Sequence, residues 1–405
     1  MLYNDLYDYL KGQADFGRDL IPLPELGQKI LRFSFVSEAA TLLKDVENPR
    51  PALSLSDPTP EDLEGQANLM GFLQLPDGEI RENREFRYLV FAPQSLEKSA
   101  RPLVLLHGLN ERSWPKYLPW ASHLVSVTGR PVILFPIAFH MNRAPASWSD
   151  SRLARSVSKL RKKINPRLVA STLSNAALSA RLSLNPRRFF YSGLQTFHDL
   201  NFLAREILAG RHPLFLPGTR LDFFTYSIGS FLGEIVLLHN RDGLFDDSKY
   251  AAFCGGPVLS LMAPVSKFIM DSEASESLTA FWLEDLESHA RGDPALKELL
   301  YGTREGEDFR AFLSLETHAR YREDKLREIA GRVRALALLQ DEVVPSDAVV
   351  STLQGSQKDI PIRVDALDFP YPYRHEDPFP YGPKNAKAID AAFREVIETL
   401  GVFLA

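Results

Sequence analysis

The sequence has 405 residues, a formal net charge of -5 and 45% apolar residues, values typical of a soluble globular protein. This mild acidity gives no reason to expect nucleic acid or a lipid surface as the main partner, and no apolar run is long enough to span a membrane. The single cysteine excludes an internal disulfide and a multi-cysteine metal site. The N-terminus lacks the long apolar core of a signal peptide, so we expect a cytoplasmic protein.

Residues 1–80 are predicted to form an N-terminal extension that is partly helical. Weak helical patterns occur at 4–15 and 36–46, and a stretch rich in proline and acidic residues at 47–65 predicts a loop. Two roles are open for this extension: bracing an edge of a sheet, or mediating a homodimer.

Seven segments beyond the extension predict strands. The first, 85–93, alternates apolar with polar residues and is rich in β-forming residues. The others are short apolar runs that suit buried parallel strands, at 101–110, 130–140, 220–226, 249–258, 331–346 and 360–370. Helical patterns lie between them and at the C-terminus. Strands that alternate with helices predict an α/β fold with a mostly parallel sheet and helices on both faces.

Two long helical segments interrupt this alternation. The insert at 141–200 is basic, and the insert at 259–329 is acidic on balance. Both follow strand ends at the edge where α/β folds bind ligands, so we expect them to form a helical cap there. Two interpretations of their charges are open. The inserts face each other or solvent, or the basic insert binds an anionic group of a substrate through Arg161, Lys162 and Lys163.

Ser227 lies between a predicted buried strand and a predicted helix, in the pattern Thr225-Tyr226-Ser227-Ile228-Gly229. A serine at a sharp strand-to-helix turn has its hydroxyl raised above the end of the sheet, and small residues two positions to either side relieve the crowding there. Gly229 meets this requirement, whereas Thr225 departs from it. The alternative is that Ser227 is an ordinary helix N-cap.

A serine hydroxyl needs a base to become nucleophilic, and the base needs an orienting acid. Asp341 ends a predicted buried strand, and His375 lies in the loop after the next strand, with no other histidine after Asp341. Because the carboxyl ends of parallel strands meet at one edge, these side chains are expected to approach Ser227. Glu342 is the alternative acid, and a surface loop position is the alternative for His375.

His107 and Gly108 follow the first predicted buried strand. The flexible glycine allows the backbone N–H of Leu109 to point inward, and the N–H of Ile228 would be a second donor to a developing oxyanion. We expect His107 to brace this turn rather than to react.

Asn110, Tyr226 and His140 are candidates to line a substrate pocket, with core packing the alternative for Tyr226 and a structural role the alternative for His140. Cys254 lies in a predicted buried strand and is expected to be an inert core thiol. The nine histidines are scattered, with no metal-binding spacing and no glycine-rich phosphate motif, so neither a metal nor a cofactor is expected.

The order of these features resembles that of the α/β-hydrolase superfamily: a strand with a His-Gly turn, a serine elbow, an acid and a late histidine. The likeness covers residues 81–405, which would form the catalytic domain. It implies a role for each residue: Ser227 as nucleophile, Asp341 as orienting acid, His375 as general base, and Leu109 and Ile228 as oxyanion hole. The sequence also resembles an uncharacterised bacterial family with this core, which brings no substrate.

This resemblance implies a serine hydrolase that cleaves a carboxylic ester or related acyl bond of a small molecule through an acyl-enzyme. Two alternatives stay open. One is an acyltransferase in which an alcohol or thiol replaces water at the same triad. The other is a non-catalytic protein of this fold that binds a ligand or partner, an alternative to which Thr225 lends some support.

Overall fold

The computed structural model describes residues 1–14, 17–43, 58–73, 75–99, 101–240 and 242–405. Within these ranges, nine strands form a single sheet. The strands are β1 (Leu20–Leu23), β2 (Gln28–Val36), β3 (Glu85–Pro93), β4 (Leu103–Leu106), β5 (Val132–Leu134), β6 (Asp222–Tyr226), β7 (Tyr250–Phe253), β8 (Val333–Leu338) and β9 (Arg363–Leu367).

Fifteen α-helices accompany the sheet in the same ranges. They are α1 (Tyr3–Gln13), α2 (Pro60–Leu73), α3 (Arg81–Arg84), α4 (Tyr117–Thr128), α5 (Ser151–Ile164), α6 (Ala176–Leu184), α7 (Arg187–Leu208), α8 (Ile228–His239), α9 (Ser272–Thr279), α10 (Leu286–Gly292), α11 (Pro294–Lys297), α12 (Arg304–Ala311), α13 (Ala319–Ile329), α14 (Ser346–Leu353) and α15 (Ala386–Leu404). Two π-helical turns, Ala280–Glu284 and Glu298–Gly302, lie in the acidic insert.

The strand order is β1-β2-β3-β5-β4-β6-β7-β8-β9. Pairing is antiparallel from β1 to β5 and parallel from β5 through β4 to β9. The chain leaves β4 for β5 on one side and later returns to β6 on the other side. This switch point opens a crevice at the carboxyl ends of β4 and β6, where α/β folds bind ligands. The sheet is that of an α/β-hydrolase fold.

The parallel strands β4 to β8 are buried on both faces, which explains their apolar runs, whereas β9 at the edge is partly exposed. In β4, Leu103 and Leu105 join a core with α1, α4 and α15. Val104 and Leu106 point to the opposite core, which contains residues of α7 and α8. A third, smaller cluster joins α2 to α5 and α6, so a helix from the N-terminal extension packs on the basic insert.

The strands β1 and β2 are not among those that the sequence predicts, and both lie within residues 1–80. β2 pairs with β3 along its whole length, with Ile30 opposite Phe91 and Phe35 opposite Phe86. The sheet therefore continues across residue 80, and the first strands form one of its edges. The helix predicted at 4–15 is confirmed as α1.

The loop predicted at 47–65 lies mostly outside the described residues, but its last part is wrong because α2 begins at Pro60. The Thr59 hydroxyl accepts a hydrogen bond from the Asp62 N–H at 3.3 Å, while the Asp62 carboxylate accepts one from the Thr59 N–H at 2.7 Å. This reciprocal pair is a capping box, and proline is favoured at the first helical position. The sequence Thr-Pro-Glu-Asp is thus a helix start.

Candidate active site

Ser227 connects β6 to α8 in a backbone conformation with a positive φ, at φ 56° and ψ -126°. Its side chain caps no helical N–H, so the N-cap interpretation is wrong. A non-glycine residue rarely adopts a positive φ, and such strain is concentrated at functional sites. The turn raises the hydroxyl above the end of the sheet.

The elbow is crowded on its helix side. A Cβ atom added to Gly229 would lie 2.7 Å from the carbonyl oxygens of Leu106 and His107, so only glycine lets α8 start this close to β4. Thr225 fits because Gly233, one turn further along α8, leaves space: an added Cβ there would lie 3.0 Å from the Thr225 methyl group. The departure from a small residue at Thr225 is thus accommodated without opening the turn.

The structure brings Ser227, His375 and Asp341 into one chain of hydrogen bonds. The Ser227 Oγ lies 2.7 Å from His375 Nε2, and His375 Nδ1 lies 2.7 Å from Asp341 Oδ2. The other carboxylate oxygen, Asp341 Oδ1, accepts hydrogen bonds from the N–H groups of Val343 and Val344 at 2.9 and 2.8 Å. All three side chains of the chain are buried. A proton on Nδ1 faces the carboxylate and leaves the Nε2 lone pair for the serine hydroxyl.

Tyr226 supports this arrangement from beneath. Its ring stacks on that of His375, with centroids 5.5 Å apart and planes 14° apart, and its hydroxyl donates to the His375 carbonyl oxygen. Burial raises the pKa of the Tyr226 hydroxyl well above its usual value, so it stays a donor. The alternative acid Glu342 is exposed and takes no part in the chain of hydrogen bonds.

The turn after β4 is held by His107. Its Nδ1–H donates to the Gly108 carbonyl oxygen at 2.8 Å, and its Nε2 accepts from the Ile137 N–H at 2.9 Å. Burial lowers the pKa of this imidazole well below its usual value, so the ring is neutral. His107 therefore ties the turn to the segment after β5 and has no free nitrogen for substrate.

Leu109 follows Gly108 in the wall of the crevice, and Ile228 directly follows Ser227. In the part of the chain that the structure describes, neither backbone N–H donates to a protein acceptor. A Cβ added to Gly108 would lie 3.1 Å from the Tyr226 ring, which explains why glycine precedes Leu109. Two donors without partners are thus available near Ser227.

A polar network that the sequence does not predict joins this turn to the His375 loop. Tyr117 accepts a hydrogen bond from the Gly108 N–H at 3.0 Å and donates to Glu111 at 2.7 Å. Lys116 donates to the same Glu111 oxygen at 2.5 Å and to the Glu376 carbonyl oxygen at 2.9 Å. No local motif signals this network, because its members meet only in the folded chain.

Asn110 connects the turn to both inserts. Its side-chain amide donates to the carbonyl oxygens of Ser174, in the basic insert, and Phe268, in the acidic insert, at 2.7 and 2.6 Å. These three residues also line the nucleophile cleft, the opening that contains Ser227 and His375. Segments of both inserts therefore border the crevice.

A second opening, the aromatic cavity, lies beside Leu109 and Ile228. Five phenylalanines line it: Phe189, Phe190, Phe197, Phe231 and Phe309. His140 stands at its edge, with Nδ1–H donating to the Ala138 carbonyl oxygen at 2.9 Å and Nε2 without a partner among the described residues. Burial lowers the pKa of His140, so Nε2 is a free acceptor.

The three basic residues proposed from the sequence to bind an anion lie elsewhere. Arg161 is buried and makes a bidentate pair with Asp271 of the acidic insert, at 2.9 Å. Lys163 pairs with Asp62, and Lys162 is exposed. None of the three lines the nucleophile cleft, so their positions do not support the anion hypothesis. The Arg161 pair instead shows the two inserts facing each other.

Cys254 is buried, and burial raises its thiol pKa well above the usual value, as expected for an inert core thiol. Among the described residues, no cluster of histidine, cysteine or acidic side chains could hold a metal ion. The helices within the same ranges include none with the length and apolarity needed to cross a bilayer.

Strand order and the position of this crevice define a protein of α/β-hydrolase fold. The chain belongs to a family of unknown function, DUF6051, whose profile matches residues 1–405. No curated protein matches it.

Several solved esterase structures are similar to the chain. Carboxyl esterase 2 from the fungus Tuber melanosporum shares 10% identity over 80% of this chain and 82% of its own, with a TM-score of 0.46. A thermostable esterase from Pseudomonas putida shares 12% over 91% and 98%, with a TM-score of 0.46. Esterase Est22 shares 12% over 99% and 87%, with a TM-score of 0.45. These likenesses concern the overall fold.

Proposed function

We propose that this protein is a serine hydrolase that cleaves a carboxylic ester or a related acyl bond. The observation that carries the proposal is the continuous chain of two 2.7 Å hydrogen bonds from Ser227 through His375 to Asp341. A helix cap or a surface histidine would need no such chain, and the positive φ of Ser227 is the kind of backbone strain that is concentrated at functional sites.

Acylation begins when His375 Nε2 takes the hydroxyl proton of Ser227 as its Oγ attacks the carbonyl carbon. Asp341 stabilises the imidazolium that forms and keeps the ring oriented through Nδ1. The N–H groups of Leu109 and Ile228 hold the developing oxyanion, where a single donor typically contributes a factor of about 10²–10³ in kcat. The tetrahedral intermediate then collapses, and His375 gives its proton to the departing alcohol.

Deacylation repeats these steps with water. His375 Nε2 takes a proton from a water molecule as the water oxygen attacks the acyl-enzyme carbonyl. The second tetrahedral intermediate expels Ser227, which recovers its proton from the imidazolium. The carboxylic acid is released, and the side chains return to their starting protonation states.

The surroundings support an apolar acyl group. The aromatic cavity has Leu109 and Ile228 in its wall, so a chain attached to a carbonyl carbon between those two N–H groups would extend into it. The inserts act as a cap in this proposal, because Asn110 bonds segments of both to the oxyanion turn. Such a cap would exclude water from the acyl chain.

The test is labelling with alkyl fluorophosphonates of short and long chain, followed by intact mass and peptide mapping. We expect one adduct, on Ser227, and none in Ser227→Ala. Ser230→Ala is the matched control: it removes a buried hydroxyl one helical turn away that bonds Thr225 rather than His375, and it should still be labelled. Folded wild-type protein that neither probe modifies, or an adduct on another residue, would contradict the proposal.

A further inference from the structure

Two buried guanidinium groups beside the candidate site share a single carboxylate. Arg181 donates to Asp77 Oδ1 at 2.6 Å, and Arg188 donates to Asp77 Oδ2 at 2.8 Å. The three residues are 3%, 4% and 1% exposed. Buried charges are ordinarily paired one for one, because an uncompensated ion in a protein interior is costly. One positive charge is therefore left over.

The neighbouring charges do not supply the missing anion. Arg112 donates to the carbonyl oxygens of Leu173 and Ser174, not to a carboxylate. Burial lowers its pKa, and no acidic group opposes this effect. Glu111, the remaining carboxylate nearby, is already bound by Lys116. The pocket wall thus carries more positive than negative charge.

Arg112, Arg181 and Arg188 line a common opening, the arginine cavity. It meets the nucleophile cleft at Leu109 and Arg112, and it meets the aromatic cavity at Leu109 and His140. The Arg181 guanidinium lies over the Trp148 ring at 4.1 Å, which fixes the plane of the group. Arg181 Nη1 donates to the Phe72 carbonyl oxygen at 3.3 Å, and Nη2 is the donor to Asp77.

We infer that the substrate carries an anionic group, a carboxylate or a phosphate, that binds in the arginine cavity while its acyl bond lies at Ser227. Describing the bound molecule as a substrate rests on the proposed hydrolase function, whereas the anion site itself does not. Planar guanidinium groups suit both carboxylate and phosphate oxygens. The apolar walls, which include Phe139 and Trp148, suit a ligand whose charge sits at the end of an apolar body.

Calorimetric binding tests the inference on the Ser227→Ala variant, which does not need turnover. Three probes share one apolar body: 4-phenylbutanoate, 4-phenylbutyl phosphate and the neutral 4-phenylbutanamide. We expect at least one anion to bind 10-fold or more tightly than the amide. The tighter of the two anions identifies whether the site takes a carboxylate or a phosphate. Equal binding of all three, or no binding by folded protein, overturns the inference.

Arg188→Gln, added to Ser227→Ala, should abolish the preference for the anion. Arg187→Gln is the matched control, because Arg187 is the adjacent residue but pairs with Asp293 and lies outside the cavity wall; it should keep the preference. If Arg188→Gln does not fold, half-buried Arg112→Gln takes its place and should reduce the preference several-fold. An unchanged preference in folded Arg188→Gln, or in Arg112→Gln where it replaces that variant, would refute the assignment.

The two proposals fail separately. Labelling of Ser227 without any preference for the anionic probes would leave a hydrolase and remove its anionic substrate. Anion preference without labelling would retain the site in the arginine cavity and remove the hydrolase.

Discussion

At the scale of single residues, the two carboxylate oxygens of Asp341 have different hydrogen-bond partners. Oδ1 is held by the N–H groups of Val343 and Val344, and Oδ2 faces His375 Nδ1. An amide in this position would keep its oxygen on the two N–H groups and turn its NH₂ towards Nδ1. The imidazole would then have to carry its proton on Nε2, where it could no longer accept the Ser227 proton.

Asp341→Asn should therefore lower kcat by about 10⁴-fold, the loss typical when the wrong tautomer is enforced, while the fold stays intact. The measurement is ester turnover together with the rate of fluorophosphonate labelling. Glu342→Gln is the control, because this exposed neighbour is the rival acid and should leave both rates unchanged. Loss of activity in Glu342→Gln instead would reverse the assignment of the acid.

Glu234 is a buried carboxyl in α8 that the proposed reaction does not use. Its Oε1 accepts from the Tyr250 hydroxyl at 3.4 Å, and its Oε2 has no partner in the described chain. Burial raises its pKa well above the usual 4.5, although the Tyr250 hydrogen bond and then the charge of Arg322 act in the opposite direction. The folded state therefore binds this proton more tightly than the unfolded state does.

Glu234→Gln should raise the melting temperature at pH 7. A carboxyl group whose pKa is raised in the folded state makes its full contribution to folding stability only below its unfolded-state pKa, near 4.5. The free energy of unfolding then falls as pH rises beyond that pKa. The amide keeps the shape and has no proton to lose. We expect the difference in melting temperature between wild type and variant to shrink towards zero as pH falls to 4. A difference that does not vary between pH 4 and 8 would show that Glu234 does not titrate as described.

The residues of the candidate triad could be predicted because each follows its own strand, and the carboxyl ends of parallel strands lie at one edge of the sheet. The arginine cavity could not be predicted. Asp77 is 104 residues from Arg181 and 111 from Arg188, and nothing local to either arginine marks it as buried. The sequence therefore assigns anion binding to Arg161 and its neighbours, because they form a more conspicuous run of basic residues.

At the scale of elements, the contact between α8 and β4 depends on Gly229. Because the atoms that an added Cβ would meet are backbone carbonyl oxygens at 2.7 Å, no side chain can move aside. Gly229→Ala should cost about 1–3 kcal/mol of stability and should lower the labelling rate of Ser227 by displacing the elbow. Denaturant unfolding and labelling kinetics provide the two readouts.

The control for Gly229→Ala is Gly71→Ala. Gly71 lies in α2 with nothing within 4 Å of an added Cβ, so alanine there should be neutral or stabilising by up to about 1 kcal/mol. Equal effects of the two substitutions would mean that the cost is a general one of glycine replacement and not of the elbow.

The buried strands β4 to β8 could be predicted from their apolar runs, whereas β1 and β2 could not. β1 is only four residues long and contains Pro22, although its burial alternates, and β2 has several half-buried positions, so neither strand is marked clearly by its sequence. The partner of β2 is β3, which begins 49 residues after Val36, and only this pairing makes β2 a strand. The pattern of apolar residues in a segment predicts whether the segment is buried, but it does not predict which strand the segment pairs with.

At the scale of the whole molecule, the two ends of the chain meet. The Tyr3 N–H donates to Asp390 Oδ1 at 2.8 Å, and the Tyr3 ring packs on Phe393 with centroids 4.8 Å apart. Helix α1 thus shares a core with α4 and α15. This arrangement favours bracing of the sheet as the role of the first residues over a separate dimerisation segment.

Leu10→Ala tests whether this core is one cooperative unit. Leu10 is 0% exposed in α1, and removing a buried leucine side chain costs about 2–5 kcal/mol. We expect that loss in the single main unfolding transition, with labelling of Ser227 lost at the same denaturant concentration as the α-helical circular dichroism signal. Leu2→Ala, at a residue that is 42% exposed, should change stability by less than about 0.5 kcal/mol. If Leu10→Ala instead releases α1 in a separate early transition and leaves the main one unmoved, the N-terminal segment is an appendage and the core does not depend on it.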